Sequence, residues 1–175
     1  MEVEGDWSGA AVYFALRSLG HEIDVTGLDP DSIQGDRVCT RLLSVLDGED
    51  PMLDVTDCPD LAPVLFAAAA AKHGALFTGT GRLAYKESDR VLCMTSELAK
   101  FGVKSAVTEN TVRIMGDGVK RPTEALEGHG DHRVVMALTM LCVLTGGTLN
   151  GVDAVGKSYP RFFEDMERLG LRTER

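Results

Sequence analysis

Three stretches of the chain share one pattern of apolar and polar positions. Each begins with an aspartate, continues through a run of mostly apolar residues and ends at glycine, with starts at Asp6, Asp60 and Asp131. Asp is favoured at helix N-caps and Gly just beyond helix ends, so the pattern predicts three helices that begin at these aspartates. Pro63 would fall in the first turn of the second helix, where no intrahelical hydrogen bond is lost.

The second and third of these helices are apolar on nearly every face. A surface helix of a globular protein carries one apolar stripe, whereas a helix that is apolar all round is buried. The helices that follow Asp60 and Asp131 are therefore predicted to form the centre of the domain.

A further helix start follows each of the three at nearly constant spacing. Asp36 lies 30 residues after Asp6, Asp89 lies 29 after Asp60, and Pro160 lies 29 after Asp131. Constant spacing of this kind indicates a repeated structural unit that contains two helices.

The middle unit has the clearest internal pattern. One helical face is apolar before Gly102, through Val91, Met94, Leu98 and Phe101. Short β-like runs flank the helices, at residues 75–78 and in a predicted hairpin of 104–108 with 111–115. The consensus is strand, helix, strand, helix and a strand pair, so three copies predict an α/β domain, with residues 116–130 mainly loop.

The composition fits one globular domain, and it argues against nucleic acid and membranes as partners. The 175 residues are 44% hydrophobic and 26% charged, and the formal net charge is −9. An acidic protein lacks the basic face that nucleic acid binding requires, so no nucleic acid partner is expected. The longest apolar run, residues 61–71, is too short to span a bilayer, so no membrane segment is expected.

The termini and the cysteines suggest an intracellular protein. The first residues are acidic and lack the basic and apolar stretches of a signal peptide, so we expect a cytoplasmic location. No C-x-x-C pair occurs among the four cysteines, which we interpret as buried, reduced thiols and not as a disulfide framework or a zinc site: Cys39, Cys58, Cys93 and Cys142.

The densest cluster of charged residues is Lys86–Arg90, at a strand-to-helix junction. Arg90 is unusual there, because a cation in the first turn of a helix opposes the helix dipole by a few tenths to about 1 kcal/mol. Arg133 lies at the equivalent position after Asp131, with weaker counterparts at Arg37 and Arg161. Each arginine alone is explained by pairing with its neighbouring aspartate, whereas several at equivalent helix starts favour a shared anion site.

Lys157 precedes the last helix, roughly as Lys86 precedes its own. Together with Arg90 and Arg133, the two lysines would surround one cleft with four cations. Asp60 and Glu87 could supply an acid and a base among them, although Asp60 alone is more often a helix cap. His132 could orient Arg133 or contact the backbone. The sequence contains no metal-binding, nucleotide-binding or serine-hydrolase motif.

Five blocks of the sequence resemble the C-terminal half of the 5-enolpyruvylshikimate-3-phosphate (EPSP) synthase family. The blocks occur in the family's order at residues 3–10, 57–63, 82–90, 130–136 and 156–160. The resemblance implies an enolpyruvyl transferase fold with three βαβαββ units in one domain. It also implies transfer of enolpyruvyl from phosphoenolpyruvate to the 5-hydroxyl of shikimate 3-phosphate, with release of phosphate and no cofactor.

The resemblance also implies roles for individual residues. Asp60 matches the family's proton acceptor near the shikimate hydroxyl, and Glu87 matches the proton donor to the methylene carbon of phosphoenolpyruvate. Lys86 matches a contact to shikimate 3-phosphate. Three cations match residues that hold phosphoenolpyruvate: Arg90, Arg133 and Lys157.

The resemblance covers only part of the family's pattern. Family members have a second, N-terminal domain that binds both ligands and closes on them, and its motifs do not occur here. The sequence therefore predicts that residues 1–175 form most of a C-terminal domain, which is inactive alone and has the N-terminal domain as its partner. The alternatives are a UDP-N-acetylglucosamine enolpyruvyl transferase, which lacks the 86–90 and 131–133 blocks as they stand here, and a non-catalytic anion-binding module.

Overall fold

The computed structural model describes residues 3–170. The predicted domain limits at residues 1 and 175 lie outside the described residues. Six α-helices are found in the described part: α1 Trp7–Ser18, α2 Cys39–Val45, α3 Ala62–Ala71, α4 Arg90–Lys100, α5 His132–Thr145 and α6 Phe162–Arg168. Three short 3₁₀ helices accompany them, at Gly35–Val38, Thr80–Tyr85 and Val152–Lys157.

The six strands described form two small sheets. The strands are β1 Met52–Asp54, β2 Gly74–Thr78, β3 Ser105–Val107, β4 Thr111–Met115, β5 Leu126–Glu127 and β6 Leu149–Asn150. The larger sheet has the order β1-β2-β4-β3, in which β1 and β2 are parallel and the other neighbours are antiparallel. The smaller sheet pairs β5 with β6 in parallel. The predicted strand and hairpin of the middle unit are thus confirmed.

The centre of the molecule is the pair α3 and α5. Residues 62–70 of α3 and residues 132–141 of α5 are all buried. The predicted burial of both helices is confirmed, and the alanines at 67–71 let neighbouring elements approach α3 closely. The apolar face of α4 is also buried, with Met94, Leu98 and Phe101 inaccessible to solvent.

The predicted mixed α/β architecture is present, but the count of three βαβαββ units is not confirmed. Within residues 3–170, only residues 52–115 form a complete unit, from β1 through β4. The segment from β5 to α6 has the order strand, helix, strand, helix, and the described part of the first unit has its two helices without strands. Residues 21–34 form no strand and pair with no neighbouring strand in the described chain. Isolated strands without hydrogen-bonded neighbours are not stable.

The second and third units match closely where strand leads to helix. Gly79 after β2 and Gly151 after β6 both adopt the left-handed conformation, with φ of 74° and 69°. Each glycine starts a 3₁₀ helix that leads to a lysine, Lys86 in one unit and Lys157 in the other. At Gly79 a Cβ would lie 2.0 Å from the Thr56 hydroxyl oxygen, so a side chain does not fit there.

The four cysteines are free, and Cys39, Cys58 and Cys93 are buried as predicted, whereas Cys142 is only half-buried, in contrast to the prediction. Burial raises the pKa of Cys39 to about 12 and that of Cys58 to about 11, so both thiols stay protonated at neutral pH. No helix within residues 3–170 combines the length and the apolar sequence that crossing a bilayer requires.

Candidate active site

Arg90 joins the starts of α3, α4 and α5. It is the first residue of α4 and is only 2% exposed. Its Nε lies 2.9 Å from Asp131 Oδ2, and its Nη1 lies 2.7 Å from Asp60 Oδ1 and 3.1 Å from the Pro59 carbonyl oxygen. Two carboxylates therefore offset both the burial of this cation and its unfavourable place at a helix N-terminus.

Asp131 is the buried carboxylate of this group. It is inaccessible to solvent, caps α5 by accepting from the Arg133 amide at 2.9 Å, and accepts from the Ser88 hydroxyl at 3.1 Å. Burial by itself raises the pKa of this carboxyl, but the hydrogen bond and charge of Arg90 outweigh burial and the net pKa is lowered. Asp131 is thus held as an anion whose oxygens are fully used inside the protein.

Asp60 differs from the prediction that it caps a helix. α3 begins at Ala62 with Leu61 at the N-cap, and no side chain caps it. The Asp60 carboxylate instead contacts Arg90, and its Oδ1 lies 3.3 Å from Lys86 Nζ. A carboxylate binds a cationic donor about twice as strongly as a neutral one. The Asp60 carboxylate therefore pairs with Arg90 and Lys86 and does not accept a hydrogen bond from the backbone amides at the start of α3.

The exposure and the charge of Asp60 suit contact with a ligand. Its side chain is 38% exposed, in contrast to that of Asp131. Partial burial acts to raise its pKa, but Arg90, Lys86 and Arg133 lower it overall, so Asp60 is ionised at neutral pH. The solvent-exposed side of the site therefore carries the ionised Asp60 carboxylate, with cations beside it.

Glu87 forms the second exposed carboxylate of the site. Its Oε2 lies 2.9 Å from His132 Nδ1, and its side chain is 45% exposed whereas that of His132 is 11% exposed. His132 is the first residue of α5, so the helix fixes its position. The contact places the Glu87 carboxyl at the start of α5, where His132 orients it.

Arg133 is the unsatisfied cation of the site. It is 8% exposed, and its Nε and Nη1 are buried without a hydrogen-bond partner among residues 3–170. Buried guanidinium nitrogens without partners are costly, so they call for an explanation, and a bound anion is one that fits a cation. Arg133 also lies in the first turn of α5, where the free backbone amides favour an anion.

Asp36 was predicted only as a helix start, yet it lies at this site. Its Oδ2 accepts a hydrogen bond from the Ser8 hydroxyl, and the charges of Asp60, Arg133 and Asp6 act on it. Burial raises the pKa of Asp36, and Asp60 adds to that rise. The charges of Asp36, Asp60 and Arg133, which belong to the starts of the first, second and third predicted units, therefore act on one another.

A glutamine explains why sequence reasoning missed Asp36. The Gln34 side chain accepts from the Trp7 amide at 2.9 Å and donates to the Gly5 carbonyl at 2.9 Å. These two bonds hold the loop that contains Asp36 against the start of α1. Such long-range contacts leave no pattern in the sequence.

The remaining predicted cations do not join the cluster through direct contacts. The Lys157 side chain is exposed and makes no hydrogen bond or ion pair within the described chain, so its convergence on the site stays a prediction. Arg37 donates to the Pro30 carbonyl at 2.5 Å, away from Arg90. Arg161 lies beside Tyr159, on which its charge acts.

Three potential metal ligands meet at the site, but their chemistry does not suit a metal. Ligand atoms of Glu87, Asp131 and His132 lie within 4.8 Å of one another. Both oxygens of Asp131 already accept hydrogen bonds, and the adjacent Arg90 guanidinium repels a cation. The arrangement is suited to an anion flanked by two exposed carboxylates.

Comparisons with known proteins show the family of the chain. Residues 1–166 match the family described as EPSP synthase (3-phosphoshikimate 1-carboxyvinyltransferase). The 3-phosphoshikimate 1-carboxyvinyltransferases of Clostridium kluyveri and Methanopyrus kandleri are 36% and 33% identical to the chain, over 96% and 98% of it. The chain spans 44% of the length of each of these relatives.

A solved structure supports the fold. The structure of EPSP synthase from Acinetobacter baumannii superposes with a TM-score of 0.67 at 24% sequence identity. The match covers 98% of this chain and 47% of that chain. The architecture described above is thus similar to about half of that protein.

Proposed function

Since the chain belongs to the EPSP synthase family, we propose that it supplies one half of an enolpyruvyl transferase active site. In this proposal, residues 1–175 are most of the C-terminal domain, with the three βαβαββ units that the repeat predicts. The reaction is transfer of enolpyruvyl from phosphoenolpyruvate to the 5-hydroxyl of shikimate 3-phosphate, with release of phosphate. No cofactor takes part.

The observation that carries the proposal is the pair of unsatisfied nitrogens of Arg133. The charge of Arg133 acts on both Asp60 and Asp36, and Arg133 stands at a helix start that favours anions. Oxygens of phosphoenolpyruvate, from its phosphate and its carboxylate, would accept hydrogen bonds from Arg133 Nε and Nη1. In this proposal Arg90 and Lys157 also bind phosphoenolpyruvate, and Lys86 contacts shikimate 3-phosphate.

The two exposed carboxylates divide the proton transfers. In the addition step the hydroxyl O–H bond breaks, a C–O bond forms at C2 of phosphoenolpyruvate, and C3 gains a proton. In the elimination step the bond to phosphate breaks and C3 loses a proton, which restores the double bond. Asp60, held ionised by its cations, accepts the hydroxyl proton, and Glu87, oriented by His132, exchanges protons with C3.

The chain alone is proposed to be inactive. Asp60 and Glu87 are open to solvent on one side, at 38% and 45% exposure. A second domain that covers this side would exclude water and fix the hydroxyl against C2. Such positioning is worth roughly 7–11 kcal/mol of the barrier, so its loss removes measurable turnover.

A chimaera tests the function directly. Residues 1–175 replace the matched part of one of the relatives above, and phosphate release from phosphoenolpyruvate and shikimate 3-phosphate is followed. We expect turnover from the chimaera and none from the chain alone. Asp60→Ala and Glu87→Gln are each expected to reduce kcat about 10²- to 10⁴-fold.

Asp47→Asn is the matched control, because the Asp47 side chain is 66% exposed and its carboxylate pairs with Lys72 Nζ at 2.7 Å, outside the site. Its chimaera should retain full activity. A folded chimaera that binds phosphoenolpyruvate without turnover would favour the alternative of a non-catalytic anion-binding module. Turnover by the chain alone would contradict the proposed division of the active site.

A further inference from the structure

Glu97 is a buried carboxylate that the proposed mechanism does not use. It lies two turns along α4 from Arg90 and is 2% exposed. A buried anion is retained only where it is paired and hydrogen-bonded, so its partners indicate its role. The hydrogen bonds and ion pairs of the Glu97 carboxylate go to Lys100 on α4 and to residues 127 and 129.

The partners of Glu97 hold the chain segment that leads into α5. Its Oε2 accepts from the Glu127 amide at 3.0 Å, and its Oε1 lies 2.9 Å from His129 Nε2. Oε2 also lies 2.9 Å from Lys100 Nζ, which donates to the Ala125 carbonyl at 2.9 Å. The segment 125–131 is therefore held at three points by one face of α4.

The geometry of α4 explains why the same helix reaches both ends of this segment. Seven residues separate Arg90 from Glu97, which is a rise of about 10.5 Å and almost two complete turns. Both side chains thus leave the same face of α4. Arg90 holds Asp131 at one end of the segment, and Glu97 with Lys100 holds residues 125–129 at the other.

The segment itself needs to be held. His129 has a φ of +53°, a left-handed conformation that few residues other than glycine adopt. At Gly128 a Cβ would lie 2.6 Å from Val135 Cγ2, so the backbone is pressed against α5. The Glu97 contact to the His129 ring offsets the cost of that conformation.

We propose that Glu97 is a positioning residue for the start of α5. Resting on the proposed function, this assigns it the task of fixing segment 125–131, and through it the place of His132 and Arg133. Glu97 does not touch the anion. Its effect on anion binding is exerted through the backbone that leads into the helix.

The test compares Glu97→Gln with a control of similar stability loss. Gln keeps the size and one acceptor oxygen but loses the charge that pairs with Lys100 and His129. Leu53→Ala is the control, because Leu53 is a buried residue of β1, which pairs only with β2 among the described strands. Urea unfolding gives the stability of each variant, and both experiments below use the 175-residue chain.

The first readout is hydrogen exchange of the Arg133 amide without ligand. This amide donates to Asp131 Oδ1 at 2.9 Å, so it reports on the helix start. In Glu97→Gln its exchange should become about three- to thirtyfold faster than in Leu53→Ala at equal stability. Equal exchange in the two variants would overturn the positioning role, whether or not the chain binds an anion.

The second readout is the affinity for inorganic phosphate. Glu97→Gln should weaken binding about three- to thirtyfold, whereas Leu53→Ala should change it less than about twofold. Equal phosphate affinity in wild type and Glu97→Gln would overturn the role of Glu97 and leave the anion site intact. If the wild-type chain does not bind phosphate, the anion site fails, and the exchange experiment alone decides the role of Glu97.

Discussion

The starts of α3 and α5 occupy equivalent places in the repeat, yet their aspartates do different work. Asp131 is inaccessible, caps its helix and holds Arg90, whereas Asp60 is 38% exposed on its side chain and caps nothing. Both carboxylates contact the same guanidinium. The comparison teaches that one buried cation can pair with two carboxylates, of which one stabilises the fold and the other faces a ligand.

Burial explains the division. Once Asp131 neutralises Arg90 in the interior, Asp60 is not needed to stabilise that charge and can face a ligand. If Asp60 were the only carboxylate paired with Arg90, the buried guanidinium would depend on a solvent-exposed partner. Such a pair stabilises the fold less than a pair inside the protein whose hydrogen bonds are satisfied.

Removing Asp131 should have the largest effect on folding. Asp131→Ala leaves Arg90 buried with only its Asp60 carboxylate partner, and breaking a buried pair costs about 3–5 kcal/mol. Urea unfolding followed by circular dichroism measures the loss. Asp50→Asn, which breaks a pair whose Asp50 side chain is 77% exposed and whose Arg113 side chain is 33% exposed, should change stability by less than about 1 kcal/mol. Similar small losses in both variants would show that Asp131 is not structural.

Acid should weaken the same contacts by protonation. The pKa values of Asp131 and Asp60 are lowered in the folded chain, so their contribution is present at neutral pH and is lost as the pH falls below about 4. The pKa of Asp36 is raised, so its ionisation acts in the opposite direction as the pH rises. Unfolding free energies between pH 7 and pH 3 should therefore fall more steeply in Asp36→Asn. A shallower fall in that variant would contradict the direction assigned to Asp36.

The contact of α3 with α5 is expected to need small residues. Ala69 is inaccessible to solvent within α3, and Ala69→Leu should destabilise the chain by about 1–3 kcal/mol through overpacking. Ala99 is exposed on α4, so Ala99→Leu should stay within about 0.5 kcal/mol of wild type. Thermal unfolding distinguishes the two, and equal effects would mean that α3 is not close-packed.

The smallest effect on stability is expected at Asp60. Asp60→Asn leaves Arg90 paired with Asp131, so the loss of unfolding free energy should be under about 1 kcal/mol. The same substitution in the chimaera should remove turnover. A stability loss as large as that of Asp131→Ala would show that the two carboxylates are equivalent.

The sequence predicts the local parts of this structure well. Helix starts at Asp6 and Asp131, the amphipathic face of α4 and the hairpin of β3 with β4 follow from residue spacing, because they depend on neighbours along the chain. Asp60 is where that reasoning fails. A cap residue and a salt-bridge partner look alike in sequence, and only the place of Arg90 in three dimensions decides between them.

The sequence predicts which charged residues form the site, but it does not predict the ion pairs and hydrogen bonds among them. Arg90 and Arg133 were expected to act alike, yet Arg90 is neutralised by two carboxylates and only Arg133 has nitrogens without partners in the described part of the chain. Asp36 and Glu97 act through long-range contacts that leave no periodic signal. The three-unit count also depends on strand partners that the local pattern does not specify.

The most direct test of the central claim is a phosphate titration of the ¹⁵N-labelled chain, followed by NMR at the arginine Nε–H groups. The account predicts that Arg133 Nε–H shifts most and saturably, with smaller changes at Arg90, while Arg37, which donates to Pro30, stays unchanged. Arg133→Lys should abolish the saturable response in the neighbouring amides of α5. Equal, unsaturable shifts at Arg37 and Arg133 would contradict the claim that the start of α5 is an anion site.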